Sequence, residues 1–271
     1  MKYFSSRNKS IQTTFFLFFY LISSFAMAQA TFVIWPIYPK IESDEKAVAV
    51  WLENTGKTDA MVQIRVFKWN QNNYKNDYSE QNEIIPSPPV AKVKAGEKHM
   101  LRLTKASMVP SGEERAYRVI VDELPVNLNS ENKEKSSNVN FQMRYSIPLF
   151  VYGKGLGSGL NEATQKINAK SNNSKPILTW AVEKNSEGKS DLILKNQGKK
   201  FARLTAIRIT ENAKDISLGE SSFGYILPNA SMKFEIHKNL EKNLNSSSVI
   251  YGVDTSGVKQ ELIKINKEVV K

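Results

Sequence analysis

From residue 31 onward, apolar and polar positions alternate with a period of two. In residues 60–69, Met61, Val62, Ile64, Val66 and Trp69 interleave with Gln63, Arg65 and Lys68. Alternation rich in β-branched and aromatic side chains predicts strands with one buried face. Residues 31–35 (TFVIW), 47–52 (AVAVWL), 99–104 (HMLRLT) and 116–121 (AYRVIV) carry the same signal. Residues 138–151 (NVNFQMRYSIPLFV) form the longest extended run. In it Val139, Phe141, Met143 and Tyr145 share one face, and Asn140, Gln142, Arg144 and Ser146 share the other. Later strands are predicted over 177–182, 191–195, 202–210, 231–236, 249–253 and 260–265.

The breaks between these runs are equally informative. Residues 54–56 (NTG) end the second strand, and 86–89 (PSPP) mark an edge, a bend or a cis bond, because proline rarely occupies a central strand. Ser87–Pro88 is the bond expected to be cis. Residues 126–137 are polar and charged and predict a loop. The glycine-rich segment 153–159 (GKGLGSG) predicts a hinge between two β-sandwiches. It is not read as a phosphate-binding loop, because the stretch after it lacks an apolar helix face.

The first residues bear on the compartment. A basic segment with Lys2, Arg7 and Lys9 precedes an apolar run at 15–25 and the small residues Ala26, Ala28 and Ala30. This predicts a signal peptide over 1–28, with cleavage after 28 or 30 and export to the periplasm. The run is shorter than the roughly 20 residues of a spanning helix, so no stable membrane insertion is expected. Without residues 1–28 the formal charge falls from +11 to +8. No nucleic-acid motif accompanies it, so solubility and acidic partners are the expected use.

Cysteine is absent, and His99 and His237 form no ligand pair, so no metal site or cofactor is expected. No GxSxG elbow occurs and no carboxylate pair stands out, so no enzymatic activity is expected.

Several motifs, in order, carry a resemblance. They are EK at 45–46, SPP at 87–89, AGEKHMLR at 95–102, DELP at 122–125 and YGVD at 251–254. In these the chain resembles the periplasmic chaperones of chaperone–usher pilus systems. WP at 35–36 and RYSIPLF at 144–150 are most similar to the archaic, Csu-type branch. The resemblance implies an all-β protein of two immunoglobulin-like β-sandwich domains in a boomerang arrangement, 29–152 and 160–271, joined by the hinge 153–159. It implies a chaperone that binds, folds and caps pilus subunits by donor-strand complementation and delivers them to an outer-membrane usher. A subunit lacking its last strand has an unpaired sheet edge prone to aggregation. A lent strand would complete that sheet and fill its pockets with alternate side chains.

On this resemblance the donor strand is 138–148, with Val139, Phe141 and Met143 filling subunit pockets and Tyr145 as a fourth candidate. Alternation alone leaves open that this face packs the chain's own core. Other family members anchor the subunit's C-terminal carboxylate with an arginine and a lysine, but the matching positions here are Tyr38 and Pro148. A carboxylate in a cleft needs a charged hydrogen-bond partner. Arg118, which interrupts an apolar strand, is the first candidate, ahead of Arg102 and Lys40. Glu123 and Asp254 resemble the family's interdomain acids, with Lys154 as their basic partner. An exported pilus subunit or adhesin is the alternative. It would open on a donor extension, whereas the alternating strand here is internal and precedes a whole further domain.

Overall fold

The computed structural model describes residues 32–125, 142–170, 175–211, 214–217, 223–236, 244, 249–256 and 260–267. The expected signal peptide 1–28, the 126–137 loop, Val139 and Phe141 lie outside them. The first half is built of ten strands. They are β1 (Phe32–Trp35), β2 (Lys40–Ile41), β3 (Ala47–Asn54), β4 (Ala60–Asn72), β5 (Lys75–Ser79), β6 (Ile84–Ser87), β7 (Val90–Val93), β8 (Lys98–Lys105), β9 (Glu114–Leu124) and β10 (Arg144–Tyr152).

These strands make two sheets, β1-β3-β8-β6 and β2-β10-β9-β4-β5, with β7 alongside β4. The alternation explains the sandwich. Val50, Leu52, Leu101 and Leu103 from one sheet meet Val62, Ile64, Val119, Val121 and Leu149 from the other in a single buried cluster. Pro86 falls in β6, an edge strand, where a missing N–H costs no ladder bond. The Ser87–Pro88 bond is cis, as the sequence suggests, and Trp35–Pro36 is cis as well.

A helix and eight strands follow. They are α1 (Glu162–Lys170), β11 (Leu178–Lys184), β12 (Ser190–Asn196), β13 (Ala202–Glu211), β14 (Lys214–Ser217), β15 (Gly224–Ile226), β16 (Ser231–Glu235), β17 (Val249–Asp254) and β18 (Glu261–Lys267). The strands run in the order β14-β13-β17-β18-β11-β12-β16, with β15 on β13. β18 connects the two halves of this second sandwich, pairing antiparallel with β17 and in parallel with β11. Trp180, Leu192, Leu204, Ile207 and Ile250 form its core. Both halves also use a fully buried asparagine to organise a turn. Asn54 binds Gly56 N–H and the carbonyls of Thr58 and Val93. Asn196 binds Gly198 N–H and the carbonyls of Lys200 and Ile226.

Helix α1 forms in a stretch that reads in sequence as polar and without an apolar helix face. Asn161 caps it, accepting the Thr164 N–H at 2.8 Å, and Glu162 and Lys170 suit the helix dipole. It docks through the Asn168 amide, which bonds both backbone groups of Gly157, so a polar contact replaces the expected apolar face. The segment 153–159 is packed on both sides. A side chain at Gly153 would meet the Pro110 carbonyl oxygen at 1.9 Å, and Leu156 and Ser158 are buried.

Candidate functional site

The site begins with β10. One edge of this strand pairs antiparallel with β9 from Arg144 to Tyr152. The other edge is taken by β2 only at Phe150 and Val151. Among the described residues, positions 144–149 thus present an unpaired edge. Ile147, Leu149 and Val151 face the first core, and Tyr145 packs beside them. The Tyr145 hydroxyl accepts the Phe32 N–H at 3.0 Å, and its ring meets Phe32 edge to face. Met143, one step before the strand, is exposed.

Beside this edge lies a cleft of about 490 Å³, lined by Ile34, Ile37, Tyr38, Arg118, Pro148 and Tyr225 among others. Arg118 stands directly opposite Pro148 in the ladder. Its guanidinium lies 3.9 Å from the Trp69 ring centre and 5.4 Å from that of Tyr225. Its Nε is buried without a hydrogen-bond partner, and it makes no ion pair among the described residues. From the second sandwich, Arg203 lies over Tyr38 at 4.8 Å and Tyr225 at 5.8 Å. Burial pushes the Tyr225 hydroxyl up to about 12 against the pull of Arg203, so it stays protonated. Two guanidiniums steadied on aromatic faces at one cleft suit a carboxylate.

The junction of the two sandwiches adjoins the cleft through Tyr225, which lines the one and packs on the other. Trp69, Phe150, Tyr152, Leu156, Phe201 and Leu227 form a third buried cluster. Phe150 stacks on Phe201 with ring centres 3.6 Å apart. The Gln71 amide clasps β15 and its exit, donating to the Tyr225 carbonyl and accepting from the Leu227 N–H. A charged layer lies beside it. Glu42 accepts the Ser158 N–H, Lys200 donates to the Gly157 carbonyl, Glu114 accepts the Phe201 N–H and Lys40 donates to the Ser256 carbonyl. Asp254 accepts from Arg203 N–H and Ser256. The Glu114 Oε2 and the Tyr152 hydroxyl are enclosed without a hydrogen bond of good geometry.

Enclosure moves these groups strongly. Burial raises the Glu114 carboxyl to about 8 despite Phe201 N–H, Lys200 and Lys40, and burial with Lys200 nearby lowers Lys40 to about 8. Between pH 4.5 and 8 the folded chain holds a proton on Glu114 that the unfolded chain has lost, so stability falls as pH rises. Above pH 8 the folded chain has lost the Lys40 proton that the unfolded chain keeps, so stability recovers. The melting temperature is expected to fall by about 2–10 °C from pH 5 to pH 8. Glu114→Gln should flatten that fall. Thermal melts across this range test it, and parallel profiles for the two proteins would contradict it.

The structure separates residues that the sequence groups together. Arg118 lies at the cleft, but Arg102 points to solvent on β8, opposite Ala49 and Ser87. Lys40 belongs to the charged layer instead. Asp254 is at the junction, but Glu123 is not. Glu114 and Glu123 stand at opposite ends of β9, roughly 30 Å apart at a strand's rise. Glu123 lies beside Met143, and Lys154 is exposed and takes no part in the charged layer. Glu42, Glu114 and Lys200 are the charged residues placed at the junction, where the sequence suggests Glu123 and Lys154. The GEER run at 112–115, with an acid entering an apolar strand, is the one signal that could have pointed to Glu114.

Residues 37–157 match the family described as pili and flagellar-assembly chaperone, PapD N-terminal domain. No curated protein sequence matches the chain. The chain is 61% identical to one in the crystal structure of the CsuC–CsuE chaperone–tip adhesion subunit pre-assembly complex from archaic chaperone-usher Csu pili of Acinetobacter baumannii. That match has a TM-score of 0.75 and covers 89% of this chain and 100% of the other. The fold is shared with the SafB chaperone–SafA pilin complex of Salmonella enterica (14% identity, TM-score 0.56, 89% and 98% covered). It is shared too with the E. coli chaperone DraB (14% identity, TM-score 0.55, 88% and 98% covered).

Proposed function

Since this chain belongs to the pilus-assembly chaperones of the chaperone–usher pathway, we propose that it captures pilus subunits in the periplasm, completes their open sheet with its own strand, and hands them to an outer-membrane usher. The carrying observation is the edge of β10 over residues 144–149, unpaired among the described residues, beside a cleft that holds Arg118. An internal strand with one open edge can lend its main-chain groups to another sheet without unfolding its own domain. The division into 29–152 and 160–271, with residues 1–28 removed on export, goes with this reading. The close approach of Gly153 to Pro110 and of Gly157 to Thr164 and Glu42 supports a link that holds the angle between the domains.

The pocket-filling residues are Val139, Phe141 and Met143, which continue the β10 alternation beyond its first paired residue. Tyr145 supports the strand from its own side through Phe32. Arg118 takes the subunit's terminal carboxylate, with Tyr38 and Pro148 shaping the cleft around it. Glu114, Lys200, Glu42 and Asp254 set the domain angle. The alternative of a pilus subunit or adhesin is disfavoured, because the first sandwich has its own closing strand and a complete second domain follows.

The test is capture of a pilus subunit encoded nearby, by co-purification from periplasm. Wild type is expected to bring the subunit down, and Phe141→Asp is expected to lose at least about tenfold of it, since a buried apolar side chain of this size contributes about 1.5–3 kcal/mol. Equal recovery by a folded Phe141→Asp protein would end the strand-donation reading.

A further inference from the structure

We propose that Asp122, held between Arg65 and Arg144, locks the register of the donor strand and so decides which side chains the strand presents to a subunit. The proposal rests on the strand-donation reading above and adds to it a positioning residue.

The need for a lock follows from the alternation. A slip of one residue would turn Val139, Phe141 and Met143 away and present Asn140, Gln142 and Arg144 instead. Burial of Ile147, Leu149 and Val151 fixes the far half of β10, and β2 holds only Phe150 and Val151. The near half, next to the residues that matter, has no neighbour on its outer edge among the described residues. Its first paired residue is Arg144, directly opposite Asp122.

At that point the chemistry is strong. Asp122 is largely buried and accepts from Arg65 Nη2 at 2.7 Å through one oxygen and from Arg144 Nε through the other. Arg65 comes from β4, the strand on the far side of β9, and stands over Phe67. Three adjacent strands are thereby tied together, Arg144 from directly opposite Asp122 and Arg65 diagonally from its place opposite Ile120. Burial alone would raise the Asp122 carboxyl, but Arg144 and Arg65 outweigh it and hold it below its ordinary value, so it is ionised at neutral pH. One step earlier, Glu123 N–H donates to the Met143 carbonyl and the Glu123 carboxylate accepts the Met143 N–H. One main-chain bond therefore joins 123 to 143, and 144–122 is the next, non-hydrogen-bonded position of the ladder, where opposed side chains lie close. A slipped strand would leave Asp122 with one guanidinium and would place Tyr145 or Met143 opposite it.

The chain has no cysteine, so an Asp122→Cys/Arg144→Cys protein can form one disulfide only, and a directly opposed pair of this kind has suitable spacing. Affinity is measured for the subunit recovered in the capture experiment. Arg144→Gln is expected to bind about tenfold more weakly with a nearly unchanged melting temperature. In hydrogen exchange its Glu123 amide should lose protection while Leu149–Val151 keep theirs. The double-cysteine protein should bind weakly when reduced and recover when oxidised, because a covalent tie restores register without charge. Binding by Arg144→Gln equal to wild type, or an oxidised disulfide that restores nothing, overturns the lock. Phe141→Asp in the same assay separates the two ideas. If it loses the subunit while Arg144→Gln does not, strand donation stands and the lock falls. If both bind as wild type, the donation reading itself falls and the lock with it.

Discussion

Arg118→Ala is expected to weaken subunit binding by about 30- to 4000-fold while shifting the melting temperature by only a few degrees. Removing one side of a buried, hydrogen-bonded charge pair costs about 2–5 kcal/mol at an interface, and every 1.4 kcal/mol is tenfold. The guanidinium is set for such a role. It rests on Trp69 and Tyr225, faces the cleft beside the open edge, and makes no ion pair among the described residues. Its loss should therefore cost the fold about 0.5–2 kcal/mol of cation–π contact. Arg118→Lys keeps the charge but not the planar fork or the ring contact, and should lie between the two. Calorimetric titration with a purified subunit and with the same subunit lacking its last residues reads the effect directly. If Arg118→Ala binds both as wild type does, another group holds the carboxylate.

Phe150→Ala is expected to destabilise the protein by about 3–5 kcal/mol and to split its thermal unfolding into two transitions. Phe150 is fully buried, stacks on Phe201 and touches Trp69 and Tyr225. It is where the strand that closes the first sandwich becomes part of the second sandwich's contact surface. A cavity there removes the apolar reason for the two sandwiches to melt together and leaves the Gln71 clasp and the charged layer, which are polar contacts of modest net worth. Phe150→Leu should cost about 1 kcal/mol and keep one transition. Differential scanning calorimetry distinguishes these outcomes, and a single transition for Phe150→Ala would show that the polar contacts suffice.

The strands with one face in the core are legible because burial imposes alternation, and β3, β4, β8 and β9 lie where the pattern predicts. β5 is not, since all five of its residues are exposed and it has no apolar face to read. β6 reads as a break because of Pro86, although an edge strand accommodates proline. Helix α1 rests on a cap and an amide dock, which hydrophobic periodicity does not register.

The site divides in the same way. Arg118 stands out because a charge interrupts an apolar strand. Arg203, Lys200 and Tyr225 carry no such mark, because their partners come from the other sandwich and exist only once the two pack. Glu114 and Glu123 flank the same apolar run in sequence, and the length of β9 separates them in space.

The parallel pairing of Phe150 and Val151 with Lys40 and Ile41 gives the open edge a hard stop. Among the described residues the free stretch runs from the Arg144–Asp122 pair to Leu149, six residues or about 20 Å. Any strand laid along it runs out of free hydrogen-bonding groups at Phe150, one residue past Leu149 and two past Pro148, which faces Arg118. In strand donation the edge would therefore act as a ruler as well as an adhesive. On the proposed reading, a partner segment anchored by its terminus at Arg118 would meet β2 on overshooting by a residue and lose its place beside the guanidinium.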